Sequence, residues 1–149
     1  MANSMRVVWS NVVDRGTVTS TSAAITATNL QTNSKTEVWR SVAAVTTASV
    51  TTSWTDLESI SCVAFPFCNF SPTATVVIKC YSDTAGTTLI YTSAATLCCA
   101  AVAPSVIGLS ATQASSAYSY GGGLTAVVYI PVISARRVTI DIVDSSNLQ

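Results

Sequence analysis

The chain has 149 residues, 49% of them hydrophobic and only 9% charged, a composition that argues against disorder and suits one domain with its own hydrophobic core. Seven basic residues balance seven acidic ones, so no cationic excess is present to neutralise phosphates, and we expect neither nucleic acid nor an anionic membrane surface as a partner. A surface with so little net charge gives little colloidal repulsion, which favours a homo-oligomer or a larger assembly.

The sequence carries no pattern typical of membrane insertion or secretion. The most apolar run, residues 94–109, is interrupted by Pro104 and is shorter than a membrane-spanning helix. We therefore expect no membrane insertion, although the mean hydropathy is +0.48. Residues 1–6 do not begin a cationic region followed by an apolar one, so we expect no signal peptide and synthesis in a cytoplasm.

Short strand patterns recur along the chain, with turn residues between them. β-Branched residues dominate the apolar segments, and no segment of a dozen residues carries a helical apolar stripe. We predict strands at residues 5–10, 37–41, 57–65, 74–81, 87–91, 124–130 and 137–143. A hairpin loop at residues 82–86, a long irregular region at 92–120 and a break at Gly121, Gly122 and Gly123 connect the later strands. The pattern predicts an all-β fold, an antiparallel β-sandwich of the jelly-roll kind, as one domain spanning residues 1–149.

Two of these segments alternate clearly between an inward and an outward face. The expected inward residues are Val76, Ile78, Cys80, Val138, Ile140 and Ile142. The expected outward residues are Thr75, Lys79, Arg137, Thr139 and Asp141. Residues 124–130 are apolar on both faces, which predicts a central strand.

Five cysteines are present, at positions 62, 68, 80, 98 and 99. Their odd number and the adjacent pair argue against a disulfide framework. The sequence has no histidine and no Cys-x-x-Cys pair, whereas tetrahedral zinc needs closely spaced ligand pairs. We expect these cysteines to be small buried hydrophobic side chains, and we expect no metal and no cofactor.

Catalytic groups are scarce. Without histidine, neither a Ser-His-Asp nor a Cys-His arrangement is available, and Lys79 is expected to be a solvated side chain on an outward face. Asp56 and Glu58 would lie roughly 7 Å apart on one face of a regular strand, a separation that an inverting glycosidase could use. The alternative is that they mark the solvated end of a strand. The three glycines have no lysine nearby and precede a strand, so they form a structural loop rather than a phosphate loop. We expect no catalytic residues and no enzyme.

Aromatic side chains give the one positive indication of ligand binding. Trp54, Tyr118 and Tyr120 fall in predicted loops or at predicted strand ends, where aromatic rings can stack on the apolar faces of sugars. The alternative is that they close the ends of the sandwich or contact another subunit. Trp9 and Trp39 lie in predicted strands and are expected in the core.

Several segments resemble small tail-associated proteins of tailed bacteriophages and prophages. The resemblance lies in residues 29–32, 37–41, 61–64, 69–76, 81–83, 120–123, 127–131 and 138–142. These are structural segments and carry no ligand residues. The resemblance implies a discoidin-like jelly roll, the sandwich that many carbohydrate-binding modules also use. It further implies another strand after Asn147, so either the chain lacks a C-terminal strand or a partner supplies it.

The function that this resemblance implies is structural. It would be a component of a bacteriophage tail, in the tail tip, baseplate or fibre, located in the virion. Its partners would be other virion tail proteins, further copies of the chain and host cell-surface glycan. Two alternatives stay open, a stand-alone carbohydrate-binding module and a capsid decoration protein, because one fold serves many functions.

Overall fold

The computed structural model of the protein describes residues 10–32, 37–42, 45–68, 70–71, 73–97 and 124–145. It contains six strands: β1 (Thr17–Ser20), β2 (Thr47–Cys68), β3 (Thr75–Tyr81), β4 (Leu89–Thr92), β5 (Thr96–Leu97) and β6 (Leu124–Val143). Two short 3-10 helices, Val12–Arg15 and Ala27–Gln31, flank β1. Neither helix of this part of the chain has the length and apolar content to cross a bilayer.

All pairings between these strands are antiparallel. The order across the sheet is β1-β2-β6-β3-β4, and β5 pairs with β3 beside β4. The sheet confirms the prediction of an all-β antiparallel fold. Its two long strands, β2 and β6, lie next to each other although β2 ends at Cys68 and β6 begins only at Leu124, so the centre of the sheet is closed by long-range pairing.

Most of the predicted strands are present, with different boundaries. Residues 57–65 belong to the much longer β2, and residues 124–130 and 137–143 are two parts of β6. The predictions at 74–81 and 87–91 correspond to β3 and β4. Strand β1 and residues 47–56 of β2 were not predicted, because Ser and Thr occupy both parities there and the apolar contrast is weak. The predicted strand at residues 5–10 and the three glycines lie outside the described residues, apart from Ser10.

The predicted strand at residues 37–41 is wrong. Only Arg40 pairs there, through an isolated bridge to Ile25. Trp39 is half-buried and packs against the core. Its indole N–H donates to Ser20 Oγ at 3.2 Å and to the Ser22 carbonyl at 3.1 Å. The side chain therefore anchors the long β1–β2 connection rather than a strand.

The pairing of β2 with β6 is interrupted at three places. Residues 54–57 of β2 stand opposite Arg136 alone, and residues 130–132 of β6 stand opposite Ser61. The third irregularity lies between Phe65 and Cys68. Bulges bend the strand that carries the extra residues, and the two prolines, Pro66 and Pro131, fall within these irregular stretches, where a missing N–H costs no ladder hydrogen bond.

One hydrophobic core collects side chains from both ends of the bent strand pair. Its buried members include Val50 and Val138 from the first half of the pair, and Ile60 and Val128 from the second. The largest fully buried side chains come from β3, where Val76, Ile78 and Cys80 are at most 1% exposed. Burying a Val or Ile side chain fully contributes about 1.5–3 kcal/mol, so the alternation predicted for β3 supplies the centre of the core.

Cys62 and Cys80 are free cysteines. Cys80 is fully buried, and burial raises the pKa of its thiol to about 11. Cys62 and Cys68 are half-buried. The expectation of small buried hydrophobic cysteines is thus confirmed at Cys80, while Cys98 and Cys99 lie outside the described residues.

The prediction of a central strand at residues 124–130 is confirmed, because these residues belong to β6, which lies between β2 and β3 in the strand order. Ala126, Val128 and Ile130 point into the core, but Val127 is 38% exposed and Tyr129 48% exposed. The apolar residues on the outer side of this strand are therefore exposed and not part of the core. We refer to Cys62, Ala64, Val127 and Tyr129, which are paired across β2 and β6, as the apolar outer strip.

Candidate functional site

The structure places the first of the predicted ligand-binding aromatics in the core. Trp54 lies inside β2 rather than in a loop or at a strand end, and only 5% of it is exposed. Its indole N–H donates to the Val12 carbonyl at 2.7 Å. Gly16 packs so closely on this ring that an added Cβ would lie 2.8 Å from Trp54 Nε1. In this position Trp54 fastens the first 3-10 helix to the sheet and presents no open face for a sugar ring. Tyr118 and Tyr120 lie outside the described residues, so their role stays a prediction.

Asp56 and Glu58 do not form the regular pair that their spacing suggested. Both lie at the bulge of residues 54–57 and its border, in the middle of β2 rather than at a strand end. Glu58 accepts two hydrogen bonds from Arg15, Nε to Oε1 at 3.1 Å and Nη2 to Oε2 at 2.7 Å. This ion pair raises the pKa of Arg15. Glu58 thus holds the first 3-10 helix against the bulge, and Asp56 is exposed.

A denser group of polar side chains lies on the outside of the sheet. The pairing register puts outward residues of β2, β6 and β3 side by side, because residues of equal parity share a face. We call this the polar outer face, and it consists of Ser49, Thr51, Lys79, Tyr81, Arg137, Thr139 and Asp141. The outward prediction for Lys79, Arg137, Thr139 and Asp141 is confirmed, whereas Ser49 and Thr51 belong to the missed part of β2.

A charge pair with a hydroxyl partner lies in the middle of the polar outer face. Lys79 Nζ lies 2.7 Å from Asp141 Oδ2, and Ser49 Oγ donates to Asp141 Oδ1 at 2.5 Å. Burial raises the pKa of Asp141, but the bonds from Lys79 and Ser49 and the ammonium charge outweigh it, so the pKa is lowered. The bond to Asp141 likewise raises the pKa of Lys79. Lys79 is therefore paired rather than simply solvated, and both groups stay charged near neutral pH.

Next to this pair, two hydroxyl groups meet across the strands. Thr51 Oγ1 and Thr139 Oγ1 lie 3.0 Å apart, and either can be the donor. Each hydroxyl has one proton to donate and two lone pairs that can accept. Because their mutual bond uses only one donor, the other hydroxyl can still donate outward, and lone pairs remain on both. Both residues are half-buried.

A rigid hairpin closes one end of the polar outer face. The Asp83 carboxylate accepts from the backbone N–H groups of Gly86 at 2.6 Å, Thr87 at 3.0 Å and Thr88 at 2.6 Å. The N–H groups of Thr87 and Thr88 contribute most to holding the pKa of Asp83 far below its usual value. Gly86 has φ +82°, a conformation that glycine adopts without strain. The predicted hairpin loop at residues 82–86 is confirmed, and its shape is set by one acidic side chain.

Arg137 ties that hairpin to β6. Its Nη1 donates to the carbonyls of Thr84 at 3.2 Å and Ala85 at 2.8 Å. Its guanidinium carbon lies 5.9 Å from the centre of the Tyr81 ring, within the range of a cation–π contact. The hairpin, the arginine and the tyrosine thus form one ordered border, and the side chains beside them keep a fixed geometry.

Metal ligands do not gather in the described part of the chain, which contains no group of three or more Cys, Asp or Glu side chains placed to hold an ion. What the polar outer face offers is a set of hydroxyl donors and acceptors, one compensated charge pair and a partly exposed aromatic ring on regular strands. Such a surface can hydrogen-bond a polyhydroxylated ligand without reacting with it.

Comparison with known proteins gives a fold but no family. None of the protein-family models matches the sequence, and no curated protein matches it. Among solved structures, chitosan-binding module 1 of a chitosanase/glucanase from Paenibacillus sp. IK-5 is similar, with a TM-score of 0.61 and 15% identity over 94% of this chain and 91% of that one. A CBM32 of AlyQ, solved in complex with 4,5-unsaturated mannuronic acid, has a TM-score of 0.54 and 16% identity over 89% of this chain and 85% of that one.

These structures are carbohydrate-binding modules, and they give no support to the expected resemblance to bacteriophage tail proteins. At such low identity the similarity concerns the fold alone. This similarity of fold agrees with the antiparallel sheet described above and with its long β2–β6 pair. The chain has the fold of an antiparallel β-sandwich of the discoidin-like kind seen in carbohydrate-binding modules.

Proposed function

We propose that the protein is a carbohydrate-binding module that holds a glycan on its polar outer face and does not cleave it. The observation that carries this proposal is the row of outward hydroxyl groups around the Lys79–Asp141 pair, fixed on three neighbouring strands. Two modules of the same fold, described as chitosan-binding and as bound to an unsaturated mannuronic acid, support it.

The chemistry of the polar outer face suits binding better than hydrolysis. A glycosidase needs a carboxylic acid whose pKa is raised so that it can protonate the leaving oxygen. Here the pKa of Asp141 is lowered, and three backbone amide donors lower that of Asp83. Both are ionised near neutral pH and neither can serve as the acid. They are also occupied by structural partners.

The ordered border of the face supports binding for an energetic reason. Affinity for a flexible ligand falls when protein side chains must also be immobilised, at about 0.5–1.5 kcal/mol for each rotamer-rich side chain. Thr and Ser have few rotamers, and Lys79 is already held by its partner. The Asp83–Arg137 border keeps Tyr81 in place. Little ordering is left to be done when a glycan binds.

The proposal is tested by calorimetry with a panel of soluble oligosaccharides and a matched pair of variants. Thr139→Val removes a hydroxyl from the centre of the face and keeps the shape of the side chain. Thr55→Val makes the same change at an exposed position in the bulge of residues 54–57. We expect Thr139→Val to weaken glycan binding by about two- to tenfold, the value of one hydrogen bond, and Thr55→Val to have no effect.

Absence of binding to every oligosaccharide in the panel would overturn the proposal. Release of reducing sugar by the protein would overturn its second part, that the glycan is not cleaved. Equal binding by both threonine variants would place the glycan elsewhere on the molecule. The expected location in a virion stays a prediction, which quantitative mass spectrometry of purified particles would test.

A further inference from the structure

We infer that the glycan held on the polar outer face is uncharged, which rests on the proposed function and specifies the chemical class of its ligand. The inference depends on the way the face pairs its own charges. A charged polysaccharide is recognised when the protein offers groups of the opposite sign that are free to pair with it. The charged residues of the polar outer face and of its bordering hairpin balance one another, and each is already bound to another part of the protein.

The negative groups of this region are both occupied. Asp141 has Lys79 on one oxygen and Ser49 on the other. The two oxygens of Asp83 accept three backbone N–H bonds inside the hairpin. A ligand ammonium would have to displace Lys79 or break the hairpin to reach either carboxylate. A cationic glycan therefore gains little here.

The positive groups are held by the protein itself. Lys79 is paired with Asp141 at 2.7 Å. Arg137 donates through Nη1 to two hairpin carbonyls, its Nε is buried without a hydrogen-bond partner, and its guanidinium lies over Tyr81. The two cations and the two anions, Asp83 and Asp141, sum to zero. An anionic glycan thus meets no excess of positive charge among these residues.

The groups that remain available on the face are uncharged. Thr51 and Thr139 keep hydroxyl capacity outward, and Tyr81 offers part of its ring. Hydroxyl groups and an aromatic ring are what a neutral sugar can use, through hydrogen bonds and contact with its C–H face. Binding through these groups should depend little on salt, because it involves no pair of opposite charges that salt ions could screen.

The experiment compares three oligosaccharides of similar length by calorimetry: a neutral glucose oligomer, a cationic glucosamine oligomer and an anionic mannuronate oligomer. Each is titrated at about 0.05 M and about 0.5 M NaCl, salt concentrations at which charge screening differs strongly. We expect the wild-type protein to bind the neutral oligomer most tightly, with less than about a twofold change in Kd between the two salt concentrations.

Two variants of nearly unchanged size convert the compensated pair into a single charge. Lys79→Gln leaves the Asp141 carboxylate without its cation, and Asp141→Asn leaves the Lys79 ammonium without its anion. We expect Lys79→Gln to gain about three- to fivefold affinity for the glucosamine oligomer at low salt. Asp141→Asn should gain a similar factor for the mannuronate oligomer. Thr55→Val is the control and should leave all three affinities unchanged.

The possible results separate this inference from the proposed function. If wild-type protein binds a charged oligomer more tightly than the neutral one at low salt, and loses that preference at high salt, the inference is wrong although the protein binds glycan. If it binds none of the three and no member of the wider panel, the proposed function itself is wrong. The inference is supported if the wild-type protein prefers the neutral oligomer, Lys79→Gln gains affinity for the glucosamine oligomer, and Asp141→Asn gains affinity for the mannuronate oligomer.

Discussion

The polar outer face and the apolar outer strip are built on the same two strands, yet their chemistry differs completely. At the first half of the β2–β6 pair, Ser49 and Thr51 face Asp141 and Thr139 across the ladder. At the second half, Cys62 and Ala64 face Tyr129 and Val127 in the same manner. The two halves nevertheless bury similar side chains inward, and both feed one core.

The inward-facing and the outward-facing residues of these strands are therefore selected by different constraints. The inward residues are constrained by packing, since every core position must be apolar and of the right volume. The outward residues are free of that constraint, so the paired hydroxyls and charges of one half suit contact with water and, in the proposed function, with a polar ligand. The bulge at residues 54–57 separates the halves, so the chain can change its outer chemistry without changing its core.

The largest effect is expected at the bulge itself. Trp54→Ala should lower the free energy of unfolding by about 3–5 kcal/mol, the range for removing a large buried aromatic side chain. Trp54→Phe should cost less, because it mainly leaves the Val12 carbonyl without its donor. Urea denaturation measures both. A loss below about 1 kcal/mol for Trp54→Ala would show that the ring is not packed, and would restore it as a candidate for ligand binding.

The next effect concerns the hairpin that borders the polar outer face. Gly86→Ala puts a side chain at φ +82°, and the new Cβ would lie 3.0 Å from the guanidinium carbon of Arg137. We expect a loss of about 1–3 kcal/mol in unfolding free energy together with weaker glycan binding, since Arg137 must move away from Tyr81. Gly16→Ala is a useful comparison, because its clash with Thr52 Cγ2 at 2.6 Å lies away from the hairpin. Destabilisation without a change in binding at Gly86 would show that the border does not order the face.

Acid should remove the contribution of Asp83. Its pKa is lowered in the folded protein, so its stabilisation is fully present above the unfolded pKa, about 3.9, and is lost as the pH falls toward the folded value. We expect Asp83→Asn to lower Tm at pH 7, and the difference from wild type to shrink steadily below about pH 4. Thermal melts across this pH range measure it. A constant difference at all pH values would mean that the charge of Asp83 is not what holds the hairpin.

The smallest effects on stability test the comparison most directly. Tyr129→Thr in the apolar outer strip and Thr139→Val on the polar outer face exchange the two chemistries at exposed or half-buried positions. Each should change the unfolding free energy by less than about 1 kcal/mol. Only Thr139→Val should weaken glycan binding. If Tyr129→Thr weakens it instead, the ligand lies on the apolar outer strip and the assignment of the two surfaces is reversed.

Several features of the protein could be predicted from its sequence. The alternation of Val76, Ile78 and Cys80 against Lys79, and of Val138 and Ile142 against Thr139, predicted which side chains form the core and which face outward, because a strand has a period of two. The turn residues around Asp83 and Gly86 predicted the hairpin. Short β-branched segments without a helical stripe predicted the all-β class.

Other features were decided by the tertiary structure. Residues 47–53 alternate only weakly, and they become a strand because β1 and β6 pair with them on both sides. Trp54 follows them in an apparently polar stretch, yet it has the same parity as the buried Val50 and Thr52 and enters the core, where Val12 and Gly16 contact it from the N-terminal segment. Such contacts join residues about 40 positions apart.

The candidate site follows the same division. By itself, the sequence determined that Lys79, Thr139 and Asp141 point outward, since parity on a strand is a local property. It could not determine that Lys79 and Asp141 neutralise each other, or that Ser49 and Thr51 stand beside them. Those relations depend on the register between strands, and register is set by long-range pairing and by where the bulges fall.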